Sequence, residues 1–311
     1  MTVTELTKAR IGQPTRHGKL LVFPVTLTGD RPTDVRIADE TLEVSELESA
    51  SVPQLQVHNP GETPVLIPAG RVLQGGRQTR TVNVSILVPA GATMVIPVSC
   101  VEAGRWSGGR KFQASQFNLS RRARIAKERG VKGNIDRARR TASDPREFKY
   151  SDQAAVWDAV HAELGLHSVS SSTSRFDEVY DRRRDVEAER IQSELVASRP
   201  GEGQTGIAVA IGGKVLGVET FASTEDLAAN WHAIVSAIML DLDDEALASA
   251  EGEATVADIE AFLARVAAAE AVEAEGNGLG TEFHVATDEF VAHGLADESG
   301  TILHAYAFAE A

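Results

Sequence analysis

The sequence predicts an α+β protein: an antiparallel β-rich sandwich or roll in its N-terminal part, and helices plus β-hairpins in its C-terminal part. Three observations carry this. Short β-rich runs alternate with Gly, Pro and Asn turn signals over the first hundred residues. Helical periodicity begins near Ser151. Two hairpin signals fall in the last third of the chain.

In chain order, Lys19–Thr28 is a strand, with Pro24 marking an edge or a bulge. Ala38–Glu43 has the composition of a helical turn. Gln54–Val57, Thr63–Pro68, Arg80–Val88 and Thr93–Val101 follow as strands, separated by His58-Asn59-Pro60-Gly61, Ala69-Gly70 and Pro89-Ala90-Gly91. Such regular spacing suits an antiparallel arrangement rather than a βαβ sheet. Residues 107–150 are basic and poor in aliphatics, and predict a long loop with a helix around Arg121–Arg129. Ser151 is placed to cap a helix reaching Leu164, and a second helix is expected over Arg175–Ala197. Ile207–Ile211 and Val215–Phe221 flank Gly212-Gly213, a two-residue hairpin turn. Helices are expected at Thr224–Leu240 and Thr255–Val272, the latter opened by a Thr255/Asp258 box. Phe290–Leu295 and Thr301–Phe308 close the chain around Asp297-Glu298-Ser299-Gly300. The implied division is a β-rich core over 1–106, a basic loop or arm over 107–150, and helical segments with two hairpins over 151–311, completing one compact domain.

Composition narrows the function classes. In 311 residues, 42% are hydrophobic and 24% charged, which excludes a wholly disordered chain. One cysteine, Cys100, excludes an intramolecular disulfide framework and a cysteine-cluster zinc site. The start lacks an apolar signal core and no run of 18 apolar residues occurs, so no membrane association is expected and the cytoplasm is the expected location. The net charge of −14 disfavours anionic partners only as an average. Residues 105–149 hold 14 Lys/Arg against 4 Asp/Glu, and residues 241–275 hold 11 Asp/Glu against one Arg. The basic segment, with Trp106, Phe112, Phe117 and Phe148 nearby, could serve a single-stranded nucleic acid, or be a solvated arm neutralised by the acidic helix.

Two clusters carry chemistry. In Ser99-Cys100-Val101-Glu102-Ala103-Gly104-Arg105-Trp106 a strand runs into a loop bearing a thiol, a carboxylate, a guanidinium and an indole. Cys100 and Glu102 share a strand face. Glu102 is a candidate general acid or base and Cys100 a candidate nucleophile. Their structural alternatives are a Glu102–Arg105 ion pair and a buried thiol. In Gln74-Gly75-Gly76-Arg77-Gln78-Thr79-Arg80 the glycines let the backbone turn and could present N–H groups to an anion, while Gln74, Gln78 and Arg80 surround it. A polar-flanked β-turn is the alternative. Gly201-Glu202-Gly203-Gln204-Thr205-Gly206 matches a dinucleotide-binding spacing, but the strand follows it instead of preceding it, so that reading is rejected. Eight scattered histidines show no metal-ligand spacing, Asp241-x-Asp243-Asp244 suits a solvated helix end, and no cofactor is indicated.

With these residues in place, the chain resembles the ARPP-1 family, the ADP-ribosylglycohydrolase and rhodanese-phosphatase-associated protein domain. The carrying stretches are Gly18–Pro24, Val52–Leu55 with His58-Asn59, Val65–Gly70, Gln74-Gly75-Gly76, Gln78-x-Arg80, Ile86–Pro89 and Ile96–Trp106. Gln153-x-x-Val156-Trp157 and Gln204-x-Gly206 add to them. The resemblance spans residues 15 to 308 and implies association with systems that handle NAD, ADP-ribose or related nucleotides. It gathers Gln74, Gln78, Arg80, Glu102, Arg105 and Trp106 into one spatial cluster suited to a nucleotide, and Gly75, Gly76 and Gln204 are further ligand-binding candidates. There Arg80 and Arg105 would contact phosphate, Trp106 would stack on a base, and Glu102 would bond ribose. A binding or accessory protein is the leading expectation; an enzyme using Glu102, or an RNA-binding module using residues 105–149, are the alternatives.

Overall fold

The computed structural model describes residues 3–27, 34–181, 186–242 and 250–310. The chain opens with β1 (Arg10–Ile11), β2 (Thr15–His17), β3 (Leu20–Thr26), β4 (Arg36–Ile37), β5 (Glu43–Ser45) and β6 (Gln54–His58). Next come β7 (Val65–Ile67), β8 (Arg71–Gly75), β9 (Arg80–Val82), β10 (Ile86–Val88), β11 (Thr93–Cys100) and β12 (Lys111–Asn118). Helices α1 (Arg121–Arg140), α2 (Gln153–Leu166) and α3 (Val186–Ser198) follow, then β13 (Gly206–Ile211) and β14 (Lys214–Phe221). Helices α4 (Thr224–Ile238) and α5 (Val256–Ala268) lead to β15 (Val272–Glu275), β16 (Thr281–Ala286), β17 (Phe290–Ala296) and β18 (Ile302–Ala309). Mixed α and β structure with antiparallel sheets is therefore what the chain forms.

By contact the chain divides into two units, residues 1–33, 184–273 and 283–311, and residues 34–183 with 274–282. These boundaries differ from the expected 1–106, 107–150 and 151–311. The difference comes from strand pairing: β3, early in the chain, pairs β13 from Gly206↔Val25 to Ile211↔Leu20.

The first unit is built on a sheet with the path β1-β3-β13-β14-β18-β17-β16-β15. The Gly212-Gly213 hairpin forms as expected, Ile211 facing Lys214. Pro24 lies inside the sheet, not at its edge. Beside it, β2 pairs residues 20–22 and β1 pairs residues 25–26, so Pro24 falls where no neighbour needs its missing N–H. Alternation sends Leu21, Phe23, Ala208, Ala210, Val218, Phe283, Val285, Ala305 and Ala307 to one face. That face is covered by Ile259, Phe262, Leu263 and Val266 of α5, spaced three and four apart. The Thr255/Asp258 capping box opens α5.

The second unit contains a closed barrel, β11-β6-β5-β12-β8-β9, and a small sheet, β10-β7-β4. Four local expectations change. Ala38–Glu43 is not helical: Asp39 Oδ1 accepts from Thr41 N at 2.9 Å, a tight turn before β5. Residues 107–150 are not a long loop. They supply β12 to the barrel and the 20-residue α1, capped by Ser120. Val131, Ile135 and Ala138 form the buried stripe of α1, and Gly130 lets α2 approach, since a Cβ there would lie 2.2 Å from Asp152 N. The cap of α2 is Asp152, accepting from Ala154 N and Ala155 N, not Ser151. The helix expected over Arg175–Ala197 is a 3-10 turn at Phe176–Asp181 and then α3; the residues between lie outside the described ones, as do Asp243 and Asp244.

Candidate functional site

The barrel register places the site. Directly paired residues on antiparallel strands share a face. Arg80 pairs both Leu73 and Cys100, Val98 pairs Val82, Ile96 pairs Leu55, and Val44 pairs both Val57 and Phe112. All of these are buried, so this face is the barrel interior. It is apolar along most of its length and ends in Arg80 and Cys100. Glu46, Gln78 and Glu102, just beyond the strand ends, are 1%, 5% and 2% exposed.

Glu102 is held by a saturated set of donors. Arg105 donates Nε to Oε1 at 2.8 Å and Nη2 to Oε2 at 2.7 Å. Thr79 donates N at 2.8 Å and Oγ1 at 3.0 Å, and Thr173 donates Oγ1 at 2.9 Å. Burial by itself would raise the Glu102 pKa, but the bonds from Arg105, Thr79 and Thr173 outweigh it and bring it down to about 2. Such a carboxylate is a fixed anion with little capacity to carry a proton at neutral pH.

Arg105 spends its remaining donors on backbone carbonyls: Nη1 on Gly76 at 2.9 Å and Ser107 at 2.6 Å, Nη2 on Gly75 at 3.3 Å. With five contacts for five N–H groups, it clamps two loops together and keeps no donor for a phosphate. The glycines offer these carbonyls rather than a nest of N–H groups, and Gly76 N itself donates to Lys111 O at 2.9 Å. Gly76 has φ +52 and no room for a side chain, since a Cβ would lie 2.0 Å from the Phe112 ring.

Arg80 is different. It is fully buried, and Nη1 donates to Gln78 O and Gln78 Oε1, both at 3.1 Å. Its Nε and Nη2 are buried with no hydrogen-bond partner among the described residues. A buried donor left unpaired costs about 1–3 kcal/mol. Burial lowers the Arg80 pKa, opposed by Cys100, Glu46 and Glu102 nearby. Glu46 complements it: Oε1 accepts from Arg77 N at 3.0 Å, while Oε2 is buried and unpartnered. Trp106, 45% exposed, lies over this end, its ring centre 5.7 Å from the Arg80 guanidinium and 5.5 Å from that of the exposed Arg77.

The remaining expected residues fall elsewhere or act locally. The Cys100 thiol is buried and bonds Glu102 O at 3.0 Å; burial raises its pKa, so it stays protonated and a weak nucleophile. Gln74 follows the inward Leu73 and so takes the outer face, where Nε2 reaches Asp177 Oδ2 at 2.6 Å. Gln204 is in the first unit and bonds within its own loop, accepting from Gly201 N and donating to Gly206 O, both at 3.0 Å. In the basic segment, Arg121, Arg124, Lys127 and Lys149 are buried, and Lys149 pairs Glu282 at 2.9 Å. The segment is therefore less of a free polycation than its composition suggests. No helix among the described residues is long and apolar enough to cross a membrane.

The model of the ARPP-1 family, described as the ARG and Rhodanese-Phosphatase-superfamily-associated Protein domain, matches residues 8–308. The chain belongs to this family. Neither a curated protein nor a solved structure matches it. Within this ARPP-1 chain, Glu46, Arg77, Thr79 and Thr173 escape the sequence reading. Arg77 and Thr79 lie in a run whose glutamines and Arg80 draw attention first. Glu46 and Thr173 reach the barrel end only through tertiary pairing, for which the sequence carries no local signal.

Proposed function

We propose that the Arg80 end of the barrel binds a phosphorylated nucleotide of the ADP-ribose kind, and that the protein is a binding or accessory component. The observation that carries this reading is the buried Arg80 fork with Nε and Nη2 unpartnered beneath Trp106. A guanidinium so placed matches a phosphate that accepts from two adjacent N–H groups. Arg77 supplies a second, exposed cation, and Trp106 a ring on which a base can stack. Glu46 Oε2 gives an acceptor for a hydroxyl. Because Nε and Nη2 are closed off from solvent, the phosphate reaches them as Trp106 swings aside. The Glu102–Arg105 clamp sets the shape of the loop that carries it. The saturated Glu102 supports binding over proton transfer, and the family's description as an associated domain accords with an accessory role.

Titration with ADP-ribose, ADP, AMP and inorganic phosphate, read by tryptophan fluorescence in a Trp157→Phe, Trp231→Phe background, tests this. ADP-ribose should change the Trp106 emission, and Arg80→Met should weaken binding at least tenfold while the circular dichroism spectrum is retained. Arg80→Lys should fall between, keeping the charge and losing the fork. If none of the four ligands perturbs Trp106, or Arg80→Met binds as tightly as the parent, the reading fails.

A further inference from the structure

A second cleft, of about 640 Å³, lies on the outer wall of the barrel and shares no lining residue with the Arg80 cluster. The register explains its floor. Ile96 and Leu55 point inward, so Val95, Pro97 and Gln54 point out, with Pro97 and Gln54 directly paired. The opposite wall is the segment after α1, with Phe148 and Tyr150 as its aromatic surfaces, and Asn277 closes one side. The volume is that of an ordinary small-molecule site.

Its polar groups have a definite bias. Arg146, the one cation in the lining, is engaged: Nη2 donates to Asp144 Oδ2 at 2.7 Å, Nε to both Asp144 oxygens at 3.1 and 3.0 Å, and Nη1 lies 3.2 Å from Glu275. Asn277 Nδ2 donates to Arg146 O at 3.3 Å, which orients the amide and leaves Oδ1 buried with no partner. The Glu147 carboxylate, in the same lining, has no hydrogen-bond or ion-pair partner among the described residues. Tyr150 Oη accepts from Gln54 Nε2 at 3.1 Å, which fixes its ring over the floor. The cleft thus has aromatic and apolar walls, surplus acceptors and a committed cation.

We infer that this cleft is a second binding site, for a flat heteroaromatic ring of nucleobase size that carries an exocyclic amino group. The N–H donors of the ligand would meet Asn277 Oδ1 and Glu147, and its ring would lie against Phe148 and Tyr150. Phosphate is disfavoured, because the lining carries two carboxylates and its only guanidinium is already paired. The site is therefore complementary in kind to the Arg80 end, and it stands or falls independently of it.

Equilibrium binding of adenosine, guanosine, cytidine, uridine and AMP to the full chain tests the inference. At least one of the three amino-bearing nucleosides should bind, uridine should bind at least tenfold more weakly, and in an Arg80→Met background the 5′-phosphate of AMP should add nothing over adenosine. Val95→Trp, a change at an exposed position that fills the cleft, and Asn277→Leu should each reduce binding at least tenfold. Arg80→Met should leave it unchanged, which separates this site from the one at the barrel end. Failure of all three amino-bearing nucleosides to bind, equal binding of uridine, or indifference to both cleft variants would overturn it.

Discussion

Among the described residues, two interiors are made by the same alternation of strand side chains, and they are filled in opposite ways. The core between the nine-stranded sheet and α5 is apolar throughout, with Phe262 and Phe290 meeting edge to face at 5.9 Å. The barrel interior starts apolar at Val57 and Ile96 and ends in Arg80, Glu46 and Glu102. A face packed under a helix can be closed by more apolar side chains. A closed barrel has two ends, and strands that run out into loops bring whatever follows them to that end. Where charge collects there it must be paired, because an uncompensated buried ion costs several kcal/mol. Glu102 meets this requirement completely and Arg80 meets it in part. That inequality, more than the presence of charge, singles out Arg80 as the group awaiting a partner.

Paired substitutions test the contrast at its largest expected effect. Phe262→Ala should cost about 3–5 kcal/mol by leaving a cavity in an apolar core. Glu102→Ala should cost a similar amount, about 3–5 kcal/mol, for another reason: it leaves Arg105 without its carboxylate. Urea unfolding read through Trp231 for the first unit, and through Trp106 and Trp157 for the second, should assign each loss to its own interior. Should Glu102→Ala cost less than 1 kcal/mol, the clamp would be an ordinary surface contact.

The next effect is a dependence on acid that only the charged interior should show. Glu102 has its pKa depressed from 4.5 to about 2, so its contribution is complete above the unfolded value and is lost as pH falls from about 4.5 toward 2. The difference corresponds to about 3 kcal/mol. Stability of the parent should therefore fall over that window relative to Glu102→Gln, which has no such proton to bind. The Phe262→Ala variant should keep the full acid slope of the parent. Identical acid profiles for the parent and Glu102→Gln would show that the carboxylate is not held as its hydrogen bonds indicate.

How legible these interiors are in the sequence depends on the range of the interactions that make them. The Gly212-Gly213 hairpin, the Asp297–Gly300 turn and the Thr255/Asp258 cap are all local, and each is visible from neighbouring residues. Residues 107–150 are misleading because composition counts Arg121, Arg124 and Lys127 as solvated charges, while the fold buries them. The Gln78–Trp106 cluster is legible as a group of residue types. Its division of labour is not: Arg105 becomes a clamp because Gly75, Gly76 and Ser107 carbonyls converge on it, and Arg80 keeps free donors because its strand neighbours are Leu73 and Cys100. Both facts follow from barrel closure, which pairs strands across long stretches of sequence.

The smallest effect asks whether the apolar interior depends on polar devices at all. Thr255 accepts from Asp258 N through Oγ1, and Asp258 Oδ2 accepts from Thr255 N at 2.8 Å, so the helix that covers the core begins with its donors satisfied. Thr255→Ala removes one half of that exchange and should cost about 1 kcal/mol. Thr255 Oγ1 also donates to Asp258 Oδ2 at 2.7 Å, and this bond, with the one from Thr255 N, lowers the Asp258 pKa, so the small loss should shrink further as the carboxylate is protonated in acid. If α5 were held by its apolar stripe alone, Thr255→Ala would leave urea unfolding seen through Trp231 unchanged. A loss near 1 kcal/mol would show that even this interior needs its boundary hydrogen bonds. The contrast with the barrel then lies in where charge is placed, at the rim of one interior and inside the other.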